Sequence, residues 1–274
     1  MTQGMAADYR DIDGRAVAST MLSQVAQDVS ALNSSGWAPR LVSIRIGDHP
    51  AVNLYIRNQE RAANEVGIDF ERRNFPTDIS EEDVRAAIAQ LNFDQDVTGI
   101  ILQRPVPKHL PIQQLQSSIA PLKDVEGMHP ASIGNIVYRN IELGPCTAMA
   151  AVELLKETGV TLPGLEVTVI GHSEIVGKPI AFLLMAEGAT VTVCHHMTRE
   201  VAVHTRRADA VFVAVVKQDS LKEKCSNPDR SWSISVLTRS SPMRDTVALW
   251  GIATMMRVGK WQDGLRLCPG EWDR

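Results

Sequence analysis

Four short segments of this 274-residue chain carry residue types able to do chemistry. Tyr55 and Gln59 stand four apart, so on a helix they share a face and present a phenol and an amide to one ligand. The same spacing describes a core tyrosine beside a solvated glutamine. Gln103 closes the apolar run VTGIIL just before Pro105, and polar groups at the C-terminal ends of parallel strands are where α/β sheets bind ligands. Lys123-Asp124-Val125-Glu126-Gly127 is a charged turn, readable as a ligand contact or as a solvated loop. The turn Gly171-His172-Ser173-Glu174-Ile175-Val176-Gly177-Lys178-Pro179 follows a strand-like run. Its glycines let backbone approach a ligand, and the free N–H groups of a helix start favour phosphate. It is not G-x-G-x-x-G, and an ordinary strand-to-helix turn fits the spacing as well.

These residues need elements to place them. Residues 15–34 have apolar side chains near helical spacing, and 41–47 alternate like a strand. Asp48 and Pro50 are expected to open a helix that ends near Gly67, and Ser80 to cap another. Residues 97–107 read as a strand stopped by prolines, and 145–160 as a helix. Then come a strand at 166–172, a helix from Gly177, a strand at 189–196, a helix-like 196–207 and a strand at 208–215. Strands alternating with helices predict α/β architecture in two domains, the second the first half of a doubly wound Rossmann-type parallel sheet. After about Val216 the order fails: four of the five tryptophans lie there, and no run shows a clean period of two or 3.6.

Composition narrows the class. The apolar share of 44% and charged share of 22% are those of a soluble globular protein. A net charge of −4 gives no reason to expect nucleic acid or an anionic membrane as partner. The N-terminal residues lack a basic segment followed by an apolar run, so a cytoplasmic protein is expected. Cys146, Cys194, Cys225 and Cys268 show no CxxC pairing and no metal-ligand spacing, so reduced thiols and no metal are expected.

The segments GDHPAVNLYIRNQERAANEVGI, GIILQRPVPKHLP, PLKDVEGMHPASIGNI, GPCTAMA and VTVIGHSEIVGKPIAFLL closely resemble the methylenetetrahydrofolate dehydrogenase/cyclohydrolase family, in its order and spacing from Ile12 to Val215. The resemblance implies a folate-binding catalytic domain at 1–144, an NAD(P)-binding Rossmann domain at 145–217, a folate cleft between the domains and a homodimer. It implies oxidation of 5,10-methylenetetrahydrofolate with NADP, then hydrolysis to 10-formyltetrahydrofolate. Tyr55 matches the tyrosine that stacks on the folate aminobenzoate, Gln103 a glutamine that positions substrate and water, and Asp124 an aspartate that holds the pterin. Gly171, His172, Ser173 and Gly177 match the dinucleotide turn, and His195, His196 and Thr198 a loop near the adenosine phosphate. Three departures stand out. The family's catalytic lysine is Gln59 here, P-C-T-P-x-G reads PCTAMA, and histidines at 172 and 196 replace a frequent arginine and a serine. The last leaves NAD or NADP open. A dehydrogenase without cyclohydrolase activity, an inactive folate-binding remnant and a shikimate-dehydrogenase-like enzyme are the rivals. Tyr55, Gln103 and KDVEG argue against the third.

The family's glycine- and proline-rich C-terminal motifs are absent as written. They return when each codon is rebuilt from the third base of one displayed codon and the first two of the next. Lys224–Thr238 then allows M-L-K-P-G-x-x-V-V-D-I-G-I-N, Leu249–Gly251 allows V-G-D, and Trp261–Arg274 allows A-G-W-I-T-P-V-P-G-G-V-G-P-M, the last methionine using a TGA stop codon after Arg274. One base lost at the codon for Val216 is therefore expected. Residues 218–274 are expected to be an out-of-frame, poorly ordered tail, leaving the strand at 208–215 as a bare sheet edge.

Overall fold

The computed structural model describes residues 12–214 and 232–235. These fall into two compact units, one of residues 18–146 and one of residues 12–17, 147–214 and 232–235. Among the described residues no helix is long and apolar enough to cross a membrane.

In the unit of residues 18–146, strands β1 (Arg40–Ile46), β2 (Asp69–Phe75) and β3 (Gly99–Leu102) form a parallel sheet in the order β2-β1-β3. Helices α1 (Gly14–Ser34), α2 (Pro50–Glu65), α3 (Glu81–Phe93), α4 (Ile112–Ser118) and α5 (Pro130–Val137) complete it, α1 starting in the other unit. Strand alternation sorts the core onto two faces. Leu41 and Ile101 pack with Val25, Val29 and Leu32 of α1 and Ala63 of α2. Val42, Ile44, Ile100 and Leu102 pack with Val84, Ile88 and Leu91 of α3 and Leu115 of α4. Ser80 caps α3 as expected, accepting from Asp83 N–H at 3.1 Å.

Several expectations need correction here. Asp48 does not cap α2, whose N-cap is His49 with no side-chain cap bond. Asp48 Oδ1 accepts instead from Arg45 Nη1 at 3.1 Å and Asn53 Nδ2 at 2.6 Å. The strand expected at 97–107 is only the four residues of β3. Strand β2, DFERRNF, was not marked by the sequence reading at all. It is a sheet edge with no fully buried residue, held by backbone pairing to β1 and by ion pairs of Glu71 with Arg40 and Arg73.

In the second unit, β4 (Glu166–Ile170), β5 (Thr190–Cys194), β6 (Ala210–Val213) and β7 (Trp232–Ser235) form a parallel sheet ordered β5-β4-β6-β7. Helices α6 (Cys146–Lys156), α7 (Gly177–Ala186) and α8 (Val201–Arg207) accompany it. Ile180 and Leu184 of α7 are buried, as are Val169 of β4 and Phe212 of β6. The helix expected at 196–207 is cut to α8, because 195–198 form a turn in which Thr198 N–H donates to His195 O at 2.9 Å. The bare edge expected at 208–215 is covered: β7 pairs with β6 from Ala210↔Trp232 to Val213↔Ser235. The run W-S-I-S does alternate, and parallel pairing asks for main-chain groups rather than a particular sequence. The rest of 218–274 lies outside the described residues.

Candidate active site

The first group of candidate residues follows from the two strand registers. Ser43 pairs with Ile101 across β1 and β3, so Ser43 and, two residues on, Gln103 point to the face covered by α1 and α2. Helix α2 brings Gln59 to the same face, on the stripe that continues to Ala63. Gln103 Nε2 donates to Ser43 Oγ at 2.9 Å and to Gln59 Oε1 at 2.7 Å. All three are buried. One turn earlier on α2 stands Tyr55, whose phenol the Gln59 side chain helps to stabilise in its ionised form, against the larger effect of burial. The alternative reading of Gln59 as solvated is thereby replaced by one buried amide chain at the C-terminal edge of the sheet. Ser43, a polar residue inside LVSIRI, was the overlooked sequence signal for it.

Asp124 is placed differently from its expected partners. It is 0% exposed, bridged to Ile100 of β3, and turned into its own loop. Its carboxylate accepts from Gln116 Nε2 at 3.3 Å, Ser132 Oγ at 3.0 Å and His129 N–H at 2.7 Å. Burial raises its pKa, and the backbone N–H groups of His129 and Met128 oppose that. These bonds occupy its acceptors and fix the loop between β3 and α5.

Glu126, two residues on, is the group the sequence reading passed over. It is half-buried, and burial first, then the charge of Asp124, push its pKa from 4.5 up to about 8, with Arg104 opposing. Its charge also bears on Tyr55, whose pKa is raised chiefly by burial and next by Glu126 and Cys146, with Gln59 opposing. Cys146 Sγ donates to Val125 O at 3.4 Å, and burial holds its thiol protonated. Gly127 sets this loop: its φ is +63°, and a Cβ there would stand 2.2 Å from the Gly144 carbonyl carbon. At neutral pH the group thus offers a phenol, two amides and a protonated carboxyl, and none of these is a strong base.

The raised Glu126 pKa has a measurable consequence. A carboxyl with folded pKa near 8 and unfolded pKa near 4.5 keeps its proton in the folded state only. Stability therefore falls as pH rises between those values, by about 1 kcal/mol per unit, and levels off above the folded pKa. Glu126→Gln is expected to flatten this slope. Thermal melts of both proteins from pH 5 to 9 check it, and parallel curves would assign the slope elsewhere.

The second group lies in the other unit. Gly171, with φ +110°, leaves the end of β4, and its N–H donates to Cys194 O of β5 at 2.7 Å. Ser173 Oγ accepts from Val176 N–H at 3.3 Å and Gly177 N–H at 3.4 Å, closing the turn. Gly177 opens α7, and a Cβ on it would stand 2.0 Å from Gly171 O. This close-wound turn at a helix start, beyond a parallel strand, fits a dinucleotide phosphate. His172, His195 and His196 gather beside it, with Thr198 Oγ1 accepting from His195 N–H at 2.9 Å. The two groups lie in separate units, and each holds together by its own bonds.

Comparison with known proteins supplies the rest. The family profile "Tetrahydrofolate dehydrogenase/cyclohydrolase, catalytic domain" matches residues 12–126, and the corresponding "NAD(P)-binding domain" profile matches 145–231. The bifunctional protein FolD 2 of Mesorhizobium japonicum is 58% identical over 221 residues, 81% of this chain and 72% of that protein. The bifunctional protein FolD of Rhodobacter capsulatus is 59% identical over 210 residues, 77% of this chain and 70% of that protein. Among solved structures, the bifunctional FolD enzyme of Campylobacter jejuni superposes with a TM-score of 0.82 at 28% identity, covering 91% of this chain and 98% of that one. The Trypanosoma brucei enzyme, solved with NADP and an inhibitor, gives 0.80 at 25% identity, covering 92% and 97%. With matches of this extent across both halves, the chain belongs to the tetrahydrofolate dehydrogenase/cyclohydrolase family, the FolD proteins of one-carbon folate metabolism.

Proposed function

We propose that this chain favours the oxidation of 5,10-methylenetetrahydrofolate to the methenyl compound over the hydrolysis of the latter to 10-formyltetrahydrofolate. The observation that carries this is Gln59, buried and bonded to Gln103 where the family has its catalytic lysine. An amide can orient a substrate but cannot titrate, whereas opening the methenyl ring needs a group that moves a proton. Oxidation asks mainly that two bound reactants be oriented. When bound, the oxidised nicotinamide supplies the two-electron acceptor.

In this reading Tyr55, a phenol that stays protonated, packs against the folate ring system and donates from its hydroxyl. Gln103 and Gln59 hold the reacting end. Holding the pterin passes from Asp124, whose oxygens are taken, to Glu126, which titrates near pH 8. Gly171, Ser173 and Gly177 hold the cofactor phosphates, with His172, His195, His196 and Thr198 beside them. NADP is the proposed cofactor: among the described residues three histidines gather beside the turn, and the Trypanosoma brucei relative was solved with NADP. A cytoplasmic homodimer without nucleic-acid or membrane partners completes the proposal. The test is the formation of NADPH from methylenetetrahydrofolate by the purified chain, with accumulation of methenyltetrahydrofolate. No NADPH formation even with the reading frame restored would overturn it.

We further infer that the codon for Val216 has lost one base. The reading is supported by the three family motifs that return under one shift. Strand β7 stands where the rebuilt frame reads V-V-D-I, so a strand is available in either frame. Restoring the frame is expected to raise the melting temperature and to increase turnover on the order of tenfold or more, since a margin of ~5–15 kcal/mol is easily eroded. Equal melts and equal turnover would show that the tail serves as well as the family motifs.

A further inference from the structure

We infer that His172, His195 and His196 form a binding site for one divalent transition-metal ion of the zinc class. The sheet itself brings them together. Ile170 of β4 pairs with Cys194 of β5, and Gly171 N–H bonds Cys194 O at 2.7 Å. The two loops therefore leave adjacent strand ends side by side, with His172 two residues past one end and His195 and His196 directly past the other. The ring centroids are 4.8 Å apart for His172 and His195, 5.9 Å for His195 and His196, and 6.4 Å for His172 and His196. One nitrogen from each ring lies within 4.8 Å of the other two.

Tetrahedral ligation at 2.0–2.1 Å sets nitrogens about 3.4 Å apart. The closing movement is small for His172 and His196, which are exposed. It disturbs little, because the loops are held by other bonds: Ser173 Oγ to the start of α7, and the reciprocal contacts of His195 and Thr198. His195 is half-buried, and its Nδ1 accepts from Met197 N–H at 3.2 Å. Ligation through Nε2 moves the ring proton to Nδ1 and gives up that long contact. Three neutral imidazoles with no thiolate or carboxylate in the set suit zinc, copper, nickel or cobalt rather than magnesium or calcium. Cys194 is not a fourth ligand, since it is 0% exposed and points into the core. Three protein ligands leave one position open to water or an anionic oxygen.

Sequence spacing conceals the site because its ligands come from two loops. The same histidines stand beside the proposed cofactor phosphates, but metal binding is read without nucleotide, so either reading can fail alone. The experiment is titration of the full chain with Zn2+ by calorimetry and with Co2+ by visible absorption, without folate or nucleotide. One equivalent is expected to bind, with a tetrahedral Co2+ spectrum lacking a thiolate charge-transfer band. His172→Ala and His196→Ala, both at exposed positions, are each expected to weaken binding roughly tenfold or more with unchanged circular dichroism. His49→Ala is expected to leave it unchanged. No saturable binding, a thiolate band, or wild-type affinity in either the His172→Ala or the His196→Ala protein would overturn the assignment.

Discussion

Gln59→Lys is expected to raise cyclohydrolase turnover roughly a hundredfold while leaving the dehydrogenase rate within about tenfold, because a positioned proton-transfer group contributes some 10²–10⁴. In the wild-type chain Gln59 Oε1 accepts the Gln103 amide at 2.7 Å, and Gln103 also reaches Ser43. The substitution replaces that acceptor with an ammonium, and Gln103 can then turn its own oxygen toward the new donor. The ammonium also acts on the neighbouring acid. Glu126 now keeps its proton up to about pH 8, and a nearby cation pulls that value down, favouring an ion pair. A lysine in this buried place has a lowered pKa, which lets it exchange a proton near neutrality. Burying a charge also costs stability, so a lower melting temperature should accompany the gain. Assays of the two steps on both proteins decide it. Unchanged cyclohydrolase turnover would mean that ring opening here does not wait on the residue at position 59.

Gly177→Ala is expected to abolish useful NADP binding, raising Kd by about a hundredfold or more, and to destabilise the second unit. The added Cβ would stand 2.0 Å from Gly171 O, 2.6 Å from Gly171 C and 3.1 Å from His172 Cα. All three are backbone atoms, so no side chain can swing aside; the turn must open or α7 must shift. Either movement pulls Val176 N–H and Gly177 N–H from Ser173 Oγ. Overpacking of this kind typically costs 1–3 kcal/mol, and the phosphate-facing backbone loses its arrangement as well. Gly134→Ala is the control. Gly134 is in α5 with nothing within 4 Å of its Cβ position, and alanine there should stabilise the helix by about 1 kcal/mol. NADP titration and thermal melts read both effects. Wild-type affinity in Gly177→Ala would show that the turn does not hold the cofactor.

How far the sequence told this in advance depends on the kind of signal. Tyr55, Gln59 and Gln103 were legible as a shared helix face and a strand end, which are local facts, and as a site only through the family resemblance; the structure joins Gln59 and Gln103 by a hydrogen bond. Ser43 and Glu126 were not picked out. Ser43 matters through its register with Ile101, 58 positions away in the chain, and Glu126 through burial beside Arg104 and Asp124. Asp124 is named through the family resemblance, and the charged turn by itself gives no hint of which of its two carboxylates faces inward to its own loop. Strand β2 escaped because an edge strand with charged residues on both faces carries no alternation. Strand β7 escaped for another reason: four residues are too few to stand out in a stretch without period. The histidine cluster joins residues 23 and 24 positions apart, a separation fixed by the pairing of β4 with β5 rather than by a local motif.

The most direct test of the central claim is the ratio of the two activities in one preparation of the chain. The ratio does not depend on how much of the preparation is folded. NADPH formation from methylenetetrahydrofolate and hydrolysis of added methenyltetrahydrofolate would be followed separately, subtracting the enzyme-free hydrolysis. With Gln59 in the place of the family's lysine, oxidation is expected to outrun hydrolysis by about a hundredfold, so that methenyltetrahydrofolate accumulates. Hydrolysis that keeps pace with oxidation, leaving no methenyl compound to detect, would contradict the account.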